Sequence, residues 1–269
     1  MIPKLAAIDL DGTLLRSDMT ISDYSRSVIQ KAVRSGMRIV VATGRMASSA
    51  SAKARDLAIG DVPVICYTGA WVVRCQSGEI LSQDGLPAAT AEAILALARK
   101  RGWFIQTFLH DDICLPAPSE IALRYQKYRV KQPVYLGDAF WHPKEDPTRL
   151  IIIEADLAKK DIIRHELEEA FGDAIEIVYP GDDFIEIHRK GVSKGTALRR
   201  LCQTWSIDLK DTVAFGNSEN DVSMLTIAGI SYAVEGSEVP ALKAAEKRAP
   251  SNDEDGVAKV LEAMLKEKG

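Results

Sequence analysis

Two aspartates stand two residues apart where a short apolar run near the start of the sequence ends. Residues 5–9, "LAAID", predict a buried strand, and in an extended chain the side chains of Asp9 and Asp11 point the same way. Carboxylates that share such a place repel each other and lose solvation, so they require a cation or a shared proton. Gly12 lets the backbone turn sharply behind them. The pair predicts a catalytic or cation-binding site, and an aspartate turn that caps a helix is the alternative.

A hydroxyl and a glycine follow the second predicted strand. Residues 37–43, "MRIVVAT", form a largely apolar strand that ends at Thr43, and Gly44 and Arg45 come next. The Thr43 hydroxyl and the Gly44 backbone N–H can both approach a ligand closely. A threonine at a strand end is also an ordinary turn residue. By itself this cluster is therefore weak evidence for a binding site, and it indicates one only together with the other polar clusters.

A lysine begins a predicted helix over residues 194–204. Ser193 is a good N-cap for this helix, which makes Lys194 its first residue. A cation there opposes the helix dipole, at a cost of up to about 1 kcal/mol. Lys194 is therefore either a solvated surface lysine or an additional positive charge at an anion site on the helix N-terminus.

The stretch "AFGNSEND", residues 214–221, ends an apolar strand at Gly216 and leads through polar residues into a helix. The first of these polar residues, Asn217, carries no charge. Ser218 and Asp221 have the spacing of a capping-box pair. A helix cap is therefore the alternative to a metal-binding role for this cluster.

These four clusters share one place in the predicted fold. Continuously apolar strands that alternate with helices indicate a doubly wound α/β core with a mainly parallel sheet. Such sheets carry their functional groups at the carboxyl ends of the strands. Hairpins beside helices predict an α+β insert, so we divide the chain into a core of residues 1–83 and 189–269 and an inserted domain of residues 84–188. On this core the clusters form a phosphate and Mg²⁺ pocket.

The pattern also gives bounds for several helices. In the core, one helix is expected over about residues 47–60 and another over residues 237–247. The insert is expected to contain two helices, over about residues 90–101 and 157–171, which strands separate and flank.

Composition excludes several classes of function. The 269 residues carry a formal net charge of −4 and lack the clustered Lys and Arg that nucleic acid or an anionic membrane surface requires. No apolar run approaches the roughly 20 residues of a membrane span, and "MIPKLAAIDLDG" meets acidic residues too soon for a signal peptide. The four cysteines lack CxxC spacing and are expected to be free thiols. A cytoplasmic protein is therefore predicted.

Four motifs, in order, resemble those of the haloacid dehalogenase (HAD) superfamily: "DLDGTL", "ATGR", "SKGTAL" and "FGNSENDVSML". The insert resembles the α+β cap, of the C2B type, found in the Cof-type subfamily IIB, and the likeness covers essentially the whole chain. The resemblance implies a Rossmann-like HAD core and a Mg²⁺-dependent phosphatase. It would hydrolyse small phosphorylated metabolites, such as sugar phosphates, pyridoxal phosphate or FMN, through an aspartyl-phosphate intermediate, as a monomer or homodimer.

The resemblance also implies a role for each matching residue. Asp9 would be the nucleophile, Asp11 the general acid and base, and Lys194 the cation that neutralises phosphate charge. The phosphate-binding residues would be Thr43, Gly44, Lys194 and Asn220, and Arg45 is a candidate substrate contact. The metal-binding residues would be Asp9, Asp11 through its backbone carbonyl, Asn217, and Asp221 through the metal's waters.

Two positions depart from the usual pattern of this family. Position 217 is Asn where a carboxylate is usual, and an amide oxygen can ligate Mg²⁺ but brings no negative charge. We therefore expect weaker Mg²⁺ binding than Asn217→Asp would give. Thr68 stands where the stretch after the third strand usually has Asn, and this change is expected to alter the pocket entrance.

Three other functions remain open at this point. A phosphomannomutase-like phosphotransferase would pass the phosphate to a second hydroxyl, and a phospho-accepting receiver would use a much shorter chain. A non-catalytic regulator that binds a phosphorylated ligand has only Asn217 in its favour, since Asp9, Asp11 and Lys194 are present. Five side chains of the insert could contact the organic part of a substrate, although ordinary packing explains each as well: Tyr125, Trp141, His142, Arg149 and Tyr179.

Overall fold

A computed structural model describes residues 3–124, 131–179 and 183–266. The chain divides into two compact units, each with its own sheet. The first unit comprises Met1–Ser82 and Ser193–Gly269, and the second comprises Gln83–Val192.

The helices and strands follow one another in three segments. The first segment contains β1 (Leu5–Ile8), α1 (Asp23–Arg34), β2 (Arg38–Ala42), α2 (Ala47–Arg55), β3 (Pro63–Cys66), β4 (Trp71–Arg74) and β5 (Ile80–Gln83). The second contains α3 (Ala88–Arg101), β6 (Ile105–Leu109), β7 (Asp112–Leu115), α4 (Glu120–Arg124), β8 (Val134–Tyr135), β9 (Arg149–Ile153), α5 (Leu157–Phe171), β10 (Ile175–Val178) and β11 (Phe184–Arg189). The third contains α6 (Lys194–Thr204), β12 (Thr212–Gly216), α7 (Val222–Ile227), β13 (Ile230–Val234), α8 (Val239–Ala244), β14 (Lys247–Ala249) and α9 (Gly256–Lys266).

The sheet of the first unit has the strand order β14-β13-β12-β1-β2-β3-β4-β5. Strands β14 to β3 run parallel, and β4 pairs antiparallel with β3. Leu5 and Ala7 of β1 join an apolar cluster with side chains of α6, α7 and α8. The intervening residues Ala6 and Ile8 are fully buried too. Both faces of the sheet are therefore covered, which confirms the predicted doubly wound core.

The register of this sheet brings the predicted clusters to one edge. Ile8 pairs with Val41 of β2 on one side and with Phe215 of β12 on the other. The three strands therefore end side by side, and the residues after them emerge at neighbouring points. Asp9 continues the pairing, since its backbone N–H donates to Phe215 O at 3.0 Å.

The sheet of the second unit has the strand order β10-β11-β9-β6-β7-β8. Its pairs are antiparallel except β7 with β8. Leu150 and Ile152 of β9 bury their side chains with apolar residues of α3 and α5. This arrangement of hairpins beside two main helices confirms the predicted α+β character of the insert.

Several predicted bounds were wrong. Helix α2 ends at Arg55 rather than near residue 60, because the chain turns there and Ala58 takes a φ of 53°. Helix α8 covers only Val239–Ala244 of the expected 237–247. Lys247–Ala249 instead extends the sheet as β14, and this edge strand is too short to show a periodic pattern. The short helix α4 was not predicted.

The turn between β3 and β4 contains a strained backbone. Tyr67, Thr68 and Gly69 have φ values of 49°, 57° and 112°. Gly69 is required there, since a Cβ would lie 2.2 Å from the carbonyl oxygen of Ser193. Thr68 has no such freedom, because a left-handed backbone costs a non-glycine residue about 1–2 kcal/mol and suits β-branched residues poorly. Its backbone N–H donates to Thr43 O at 3.1 Å, so the strained turn is joined to the loop after β2.

Thr68→Asn is expected to raise the free energy of unfolding by about 0.5–1 kcal/mol, because asparagine adopts a left-handed backbone more readily. The melting temperature would then rise by roughly 2 °C, measured by calorimetry. Thr68→Val is the control, since it keeps the branched Cβ and replaces the hydroxyl by a methyl group, and it should not gain stability. If the Thr68→Asn protein melts at or below the wild-type temperature, the inference that Thr68 strains the backbone is wrong.

Candidate active site

A buried lysine joins two of the predicted clusters. Lys194 Nζ lies 2.8 Å from Asp9 Oδ1 and 2.6 Å from Asp221 Oδ1. The relative exposures of Lys194, Asp9 and Asp221 are 0%, 4% and 0%. Lys194 is therefore no solvated surface lysine, and the strand ends of β1 and β12 meet at its ammonium group.

The start of α6 fixes the position of this lysine. The Ser193 hydroxyl accepts from Thr196 N at 3.1 Å, and the Thr196 hydroxyl accepts from Ser193 N at 3.0 Å, so a full capping box is present. The next backbone N–H, of Gly195, donates to Ser223 Oγ at 3.0 Å. The first turn of α6 is thus held from both sides, and Lys194 extends from it to the two carboxylates.

The charges at this point do not balance. One ammonium faces two buried carboxylates, which leaves an excess of negative charge. Burial and the neighbouring Asp221 carboxylate raise the pKa of Asp9, Lys194 offsets part of this rise, and the resulting pKa is about 7. Burial disfavours the ammonium of Lys194, but Asp221 and Asp9 outweigh this and raise its pKa. A further cation would keep Asp9 ionised near neutral pH, because opposite charge favours the carboxylate form.

Asn217 lies beside this group and in contact with three oxygens. Its Oδ1 accepts from the Thr13 hydroxyl at 3.1 Å, and the same oxygen lies 3.0 Å from Asp11 O and 3.3 Å from Asp9 Oδ2. The close approach depends on Gly12, where φ is 72° and a Cβ would lie 2.6 Å from the Asn217 amide. The amide oxygen of Asn217 therefore lies beside a carboxylate oxygen and a backbone carbonyl oxygen, an arrangement that a cation between them would stabilise.

The residues present fit a magnesium ion. In the described parts of the chain, no group of three or more His, Cys, Asp or Glu side chains is arranged to hold a metal. Mg²⁺ needs few carboxylates, because it prefers oxygen ligands of any kind and keeps several waters. Asp9 Oδ2 and Asp11 O both lie within 3.3 Å of the Asn217 amide oxygen. This set offers one carboxylate, one carbonyl and one amide.

Asp221 serves the helix cap and the buried ion pair at once. Its Oδ2 accepts from Asn217 N at 2.8 Å and from Ser218 N at 3.1 Å, and its Oδ1 accepts from Lys194. The capping box of Ser218 and Asp221 is present in the turn at residues 219–221. The predicted capping box is therefore present, and the predicted role of Asp221 towards the waters of a metal stays a prediction.

Asp11 has an environment unlike that of Asp9. Its Oδ2 accepts from Arg45 Nε at 2.7 Å, and its Oδ1 accepts from Arg45 Nη2 at 2.6 Å. Arg45 also donates from Nη1 to Ser49 Oγ at 3.2 Å. The Asp11 side chain is 48% exposed, compared with 5% for Asp9. Two carboxylates with such different environments suit different chemical roles, and Arg45 contacts the more exposed of the two.

The predicted phosphate-binding residues lie around the loop after β2. Thr43 is buried, and its Oγ1 accepts from Arg45 N at 3.2 Å. A Cβ at Gly44 would lie 3.3 Å from Thr68 Oγ1 and 3.4 Å from Asn220 Nδ2. The structure thus brings Gly44 and Asn220 together, with Thr68 beside them.

Two contacts at the site were not predicted. Thr13 contacts Asn217, and Ser49 contacts Arg45. Thr13 follows directly after "DLDG". Its position in the same tight turn as Asp11 could have indicated that it lies at the site. Nothing in the sequence distinguishes Ser49 from the other serines of "ASSASAKA".

Four of the five candidate contacts in the insert have structural partners among the described residues. Tyr125 lies outside the described residues. Arg149 is buried and donates to Glu186 Oε1 at 2.6 Å, and Trp141 packs against the apolar core of the second unit. Of the other two, Tyr179 lies beneath the Lys160 ammonium, 4.4 Å from its ring centroid, and His142 bonds Glu92. Packing and ion pairing within the unit therefore account for these side chains.

Comparison with known proteins decides the family. A model of the haloacid dehalogenase-like hydrolases matches residues 6–261. The chain belongs to this family. It is 30% identical to the HMP-PP phosphatase of Escherichia coli O6:H1 over 255 residues, which cover 90% of this chain and 87% of that protein.

Two further comparisons support the assignment. The chain is 28% identical to the 5-amino-6-(5-phospho-D-ribitylamino)uracil phosphatase YbjI of Escherichia coli K12 over 275 residues, which cover 98% of this chain and 96% of that protein. Its fold matches that of the HAD subclass IIB sugar phosphatase BT4131 with a TM-score of 0.84, at 21% identity and with 97% and 99% of the two chains covered.

This HAD hydrolase is therefore a phosphatase that acts on small phosphorylated molecules. The predicted family and the predicted enzyme class are confirmed. Within the described residues, no helix has the length and apolar character needed to cross a membrane.

Replacing Lys194 by Met should lower the free energy of unfolding by about 3–5 kcal/mol, because two buried carboxylates would lose their counter-charge. Urea unfolding followed by circular dichroism measures the loss. Lys4→Met is the matched control, since Lys4 pairs with Asp211 at 2.7 Å but is 63% exposed, and exposed pairs contribute about 1 kcal/mol or less. Adding Asp221→Asn to Lys194→Met should recover part of the loss. If the Lys194 and Lys4 variants lost equal free energies of unfolding, the buried ion pair would stabilise the protein no more than an exposed one.

Proposed function

We propose that this HAD hydrolase is a Mg²⁺-dependent phosphatase that transfers the phosphoryl group of its substrate to Asp9 and then to water. The observation that carries the proposal is the buried group of Lys194, Asp9 and Asp221, which holds more negative than positive charge beside two converging oxygens. A metal cation and a phosphate dianion are the ligands that such a group, with its ammonium and nearby backbone donors, can accept.

The proposed first step is the attack of an Asp9 carboxylate oxygen on phosphorus. Two anions must approach each other, so the repulsion has to be offset by positive charge and hydrogen-bond donors. Lys194 lies 2.8 Å from Asp9, and the Thr43 hydroxyl and the Gly44 N–H lie at the neighbouring strand end. Bound Mg²⁺, held by Asp9, the Asp11 carbonyl and Asn217, would add positive charge and orient the phosphoryl oxygens.

The proposed role of Asp11 is proton transfer. An alkoxide leaving group near pH 7 requires a proton, and the half-exposed carboxyl of Asp11 stands two residues beyond the nucleophile. The same carboxylate would then accept a proton from the water that hydrolyses the phospho-aspartate. Asn220 beside Gly44 is proposed to help bind the phosphate, and Asp221 to orient the metal's waters.

The proposed substrates are sugar phosphates or cofactor monoesters such as pyridoxal phosphate or FMN. The relatives named above include phosphatases of a ribityl phosphate and of HMP-PP, which supports a small metabolite. We further propose that the inserted unit acts as the cap domain and that the protein is a cytoplasmic monomer or homodimer with no nucleic-acid or membrane partner.

Hydrolysis of para-nitrophenyl phosphate with Mg²⁺ tests the proposed chemistry. Asp9→Asn should lower kcat at least about a thousandfold, because an amide is no nucleophile at phosphorus. Asp23→Asn is the control, since Asp23 is exposed in the first turn of α1, and its activity should be unchanged. Activity that survives in Asp9→Asn would overturn the nucleophile assignment, and a wild-type protein inactive with every divalent cation would favour a non-catalytic binding function.

Arg45→Met is expected to lower kcat/KM about tenfold or more on a sugar phosphate, whose leaving group needs a proton. On para-nitrophenyl phosphate, whose leaving group departs without one, the loss should stay below about threefold. The reason is that Arg45 holds the carboxylate of the proposed general acid through two hydrogen bonds.

The two substrates distinguish the possible roles of Arg45. Ser49→Ala is the milder companion variant, since it removes only the bond between Ser49 Oγ and Arg45 Nη1, and it should show the same selectivity with a smaller loss. An equal loss on both substrates would instead mean that Arg45 contacts the substrate, as the sequence suggested, and does not act through Asp11.

A further inference from the structure

The Asp11 turn, residues 10–15, is closed on itself and joined to the sheet at its start. The backbone N–H groups of residues 13–15 donate to Leu10 O at 3.3, 3.1 and 2.8 Å, and Asp9 before the turn continues the pairing of β1 with β12. Gly12, with a φ of 72°, gives the backbone between these points unusual freedom. How firmly Asp11 is held therefore also depends on what fixes the far end of the turn.

A second turn, which precedes α9 and is here called the C-terminal turn (residues 251–255), fixes that far end. Asn252 Nδ2 donates to Leu15 O at 2.8 Å. The next residue, Arg16, donates to Asp255 from Nη2 at 2.5 Å and from Nε at 3.3 Å. These bonds join residues that lie 237 and 239 positions apart in the sequence. The Asp11 turn is thus held from the opposite end of the first unit.

Further bonds extend the same contact on both sides. Ser17 donates to Asp253 from its backbone N–H at 2.8 Å and from its hydroxyl at 2.7 Å. Asp255 Oδ1 also accepts from the hydroxyls of Ser22 at 2.6 Å and Ser25 at 3.0 Å, at the start of α1. Three successive positions at the end of the Asp11 turn are therefore bonded to side chains of the C-terminal turn.

The C-terminal turn has little room to move. Asp255 has a φ of 58°, which aspartate adopts more readily than most residues, and its side chain is only 12% exposed. A Cβ at Gly256 would lie 1.8 Å from Pro250 O, so the chain passes close to itself there. Burial raises the pKa of Asp255, but the hydrogen bonds from Arg16 and the two serines outweigh this and lower it. The acceptor for Arg16 is therefore a fixed, ionised carboxylate.

We propose that Asn252 and Asp255 are positioning residues for Asp11, which they hold in place through the backbone at the end of its turn. The inference deepens the proposed function and rests on it for the role of Asp11 in proton transfer. That step requires the acid within hydrogen-bond reach of the leaving oxygen, and a displacement of about 1 Å can lower the rate about a hundredfold. Arg45 holds the carboxyl group of Asp11, whereas the C-terminal turn holds the backbone that carries it.

Hydrogen exchange of the full-length protein, followed by mass spectrometry, tests whether the C-terminal turn holds the Asp11 turn. In Asn252→Ala and in Arg16→Met, the amides of residues 13–15 should exchange at least about tenfold faster than in wild type, because local opening becomes easier. Tyr24→Phe is the control. It removes a bond of 3.2 Å from Tyr24 Oη to Glu262 Oε2, which joins α1 to α9 without touching either turn, and these amides should keep the wild-type rate.

Steady-state kinetics with Mg²⁺ on two aryl phosphates test the positioning of Asp11. On phenyl phosphate, which has the more basic leaving group, Asn252→Ala and Arg16→Met should lower kcat about fivefold or more with KM within about twofold of wild type. On para-nitrophenyl phosphate, both should stay within about twofold in kcat. Arg16→Lys keeps the charge beside Asp255 and should recover part of the loss, and Tyr24→Phe should match wild type on both esters.

The two measurements have separate contrary results. If the amides of residues 13–15 exchange at the wild-type rate in Asn252→Ala and Arg16→Met, the C-terminal turn does not hold the Asp11 turn and the inference is overturned. Faster exchange with equal losses of kcat on the two esters would also overturn it, since the contact would then stabilise the fold without positioning the acid. If wild type hydrolyses neither ester with any divalent cation, the proposed function fails and the positioning role fails with it, whereas the exchange rates still decide whether the two turns are coupled.

Discussion

The ammonium of Lys194 between two buried carboxylates is the interaction on which the site depends. It connects the end of β1, the start of α6 and the end of β12, which lie 185 and 27 residues apart along the chain. A buried ion pair is stable only with good geometry and satisfied hydrogen bonds. The capping box at Ser193 and the backbone donors on Asp221 provide these. Much of the local structure of the first unit therefore serves to hold one cation in place.

The same arrangement separates the two aspartates of the opening motif. Asp9 is buried and faces Lys194, whereas Asp11 is half-exposed and faces Arg45. Burial and fixed charge suit a nucleophile that must stay in one position, and access to solvent suits a group that exchanges protons. Neighbours in sequence thus acquire different chemistry, because Gly12 turns the chain directly behind them with a φ of 72°.

Sequence alone could place the residues of the site but not their partners. Apolar runs locate β1, β2 and β12, and in a parallel sheet their ends must adjoin, so Asp9, Thr43 and Asn217 were predictable neighbours. The bidentate pairing of Arg45 with Asp11 was not, since it depends on rotamers, and the sequence offered Arg45 only as a candidate substrate contact. Strand β14 was missed for another reason. Its three residues at the sheet edge are held by backbone pairing with β13, and such pairing does not require a recognisable pattern of apolar side chains.

Asn217 shows why charge has to be counted over the whole group. Burial and Asp221 already raise the pKa of Asp9 to about 7, so the proposed nucleophile is close to losing its charge before any ligand arrives. A carboxylate at 217 would raise that pKa further, because like charges disfavour ionisation. With a neutral amide at position 217, the positive charge of Lys194 has to offset only the negative charges of Asp9 and Asp221. The amide at position 217 therefore brings one negative charge less to the proposed metal site and also spares Asp9 one repulsion, and both effects act on the same carboxylate.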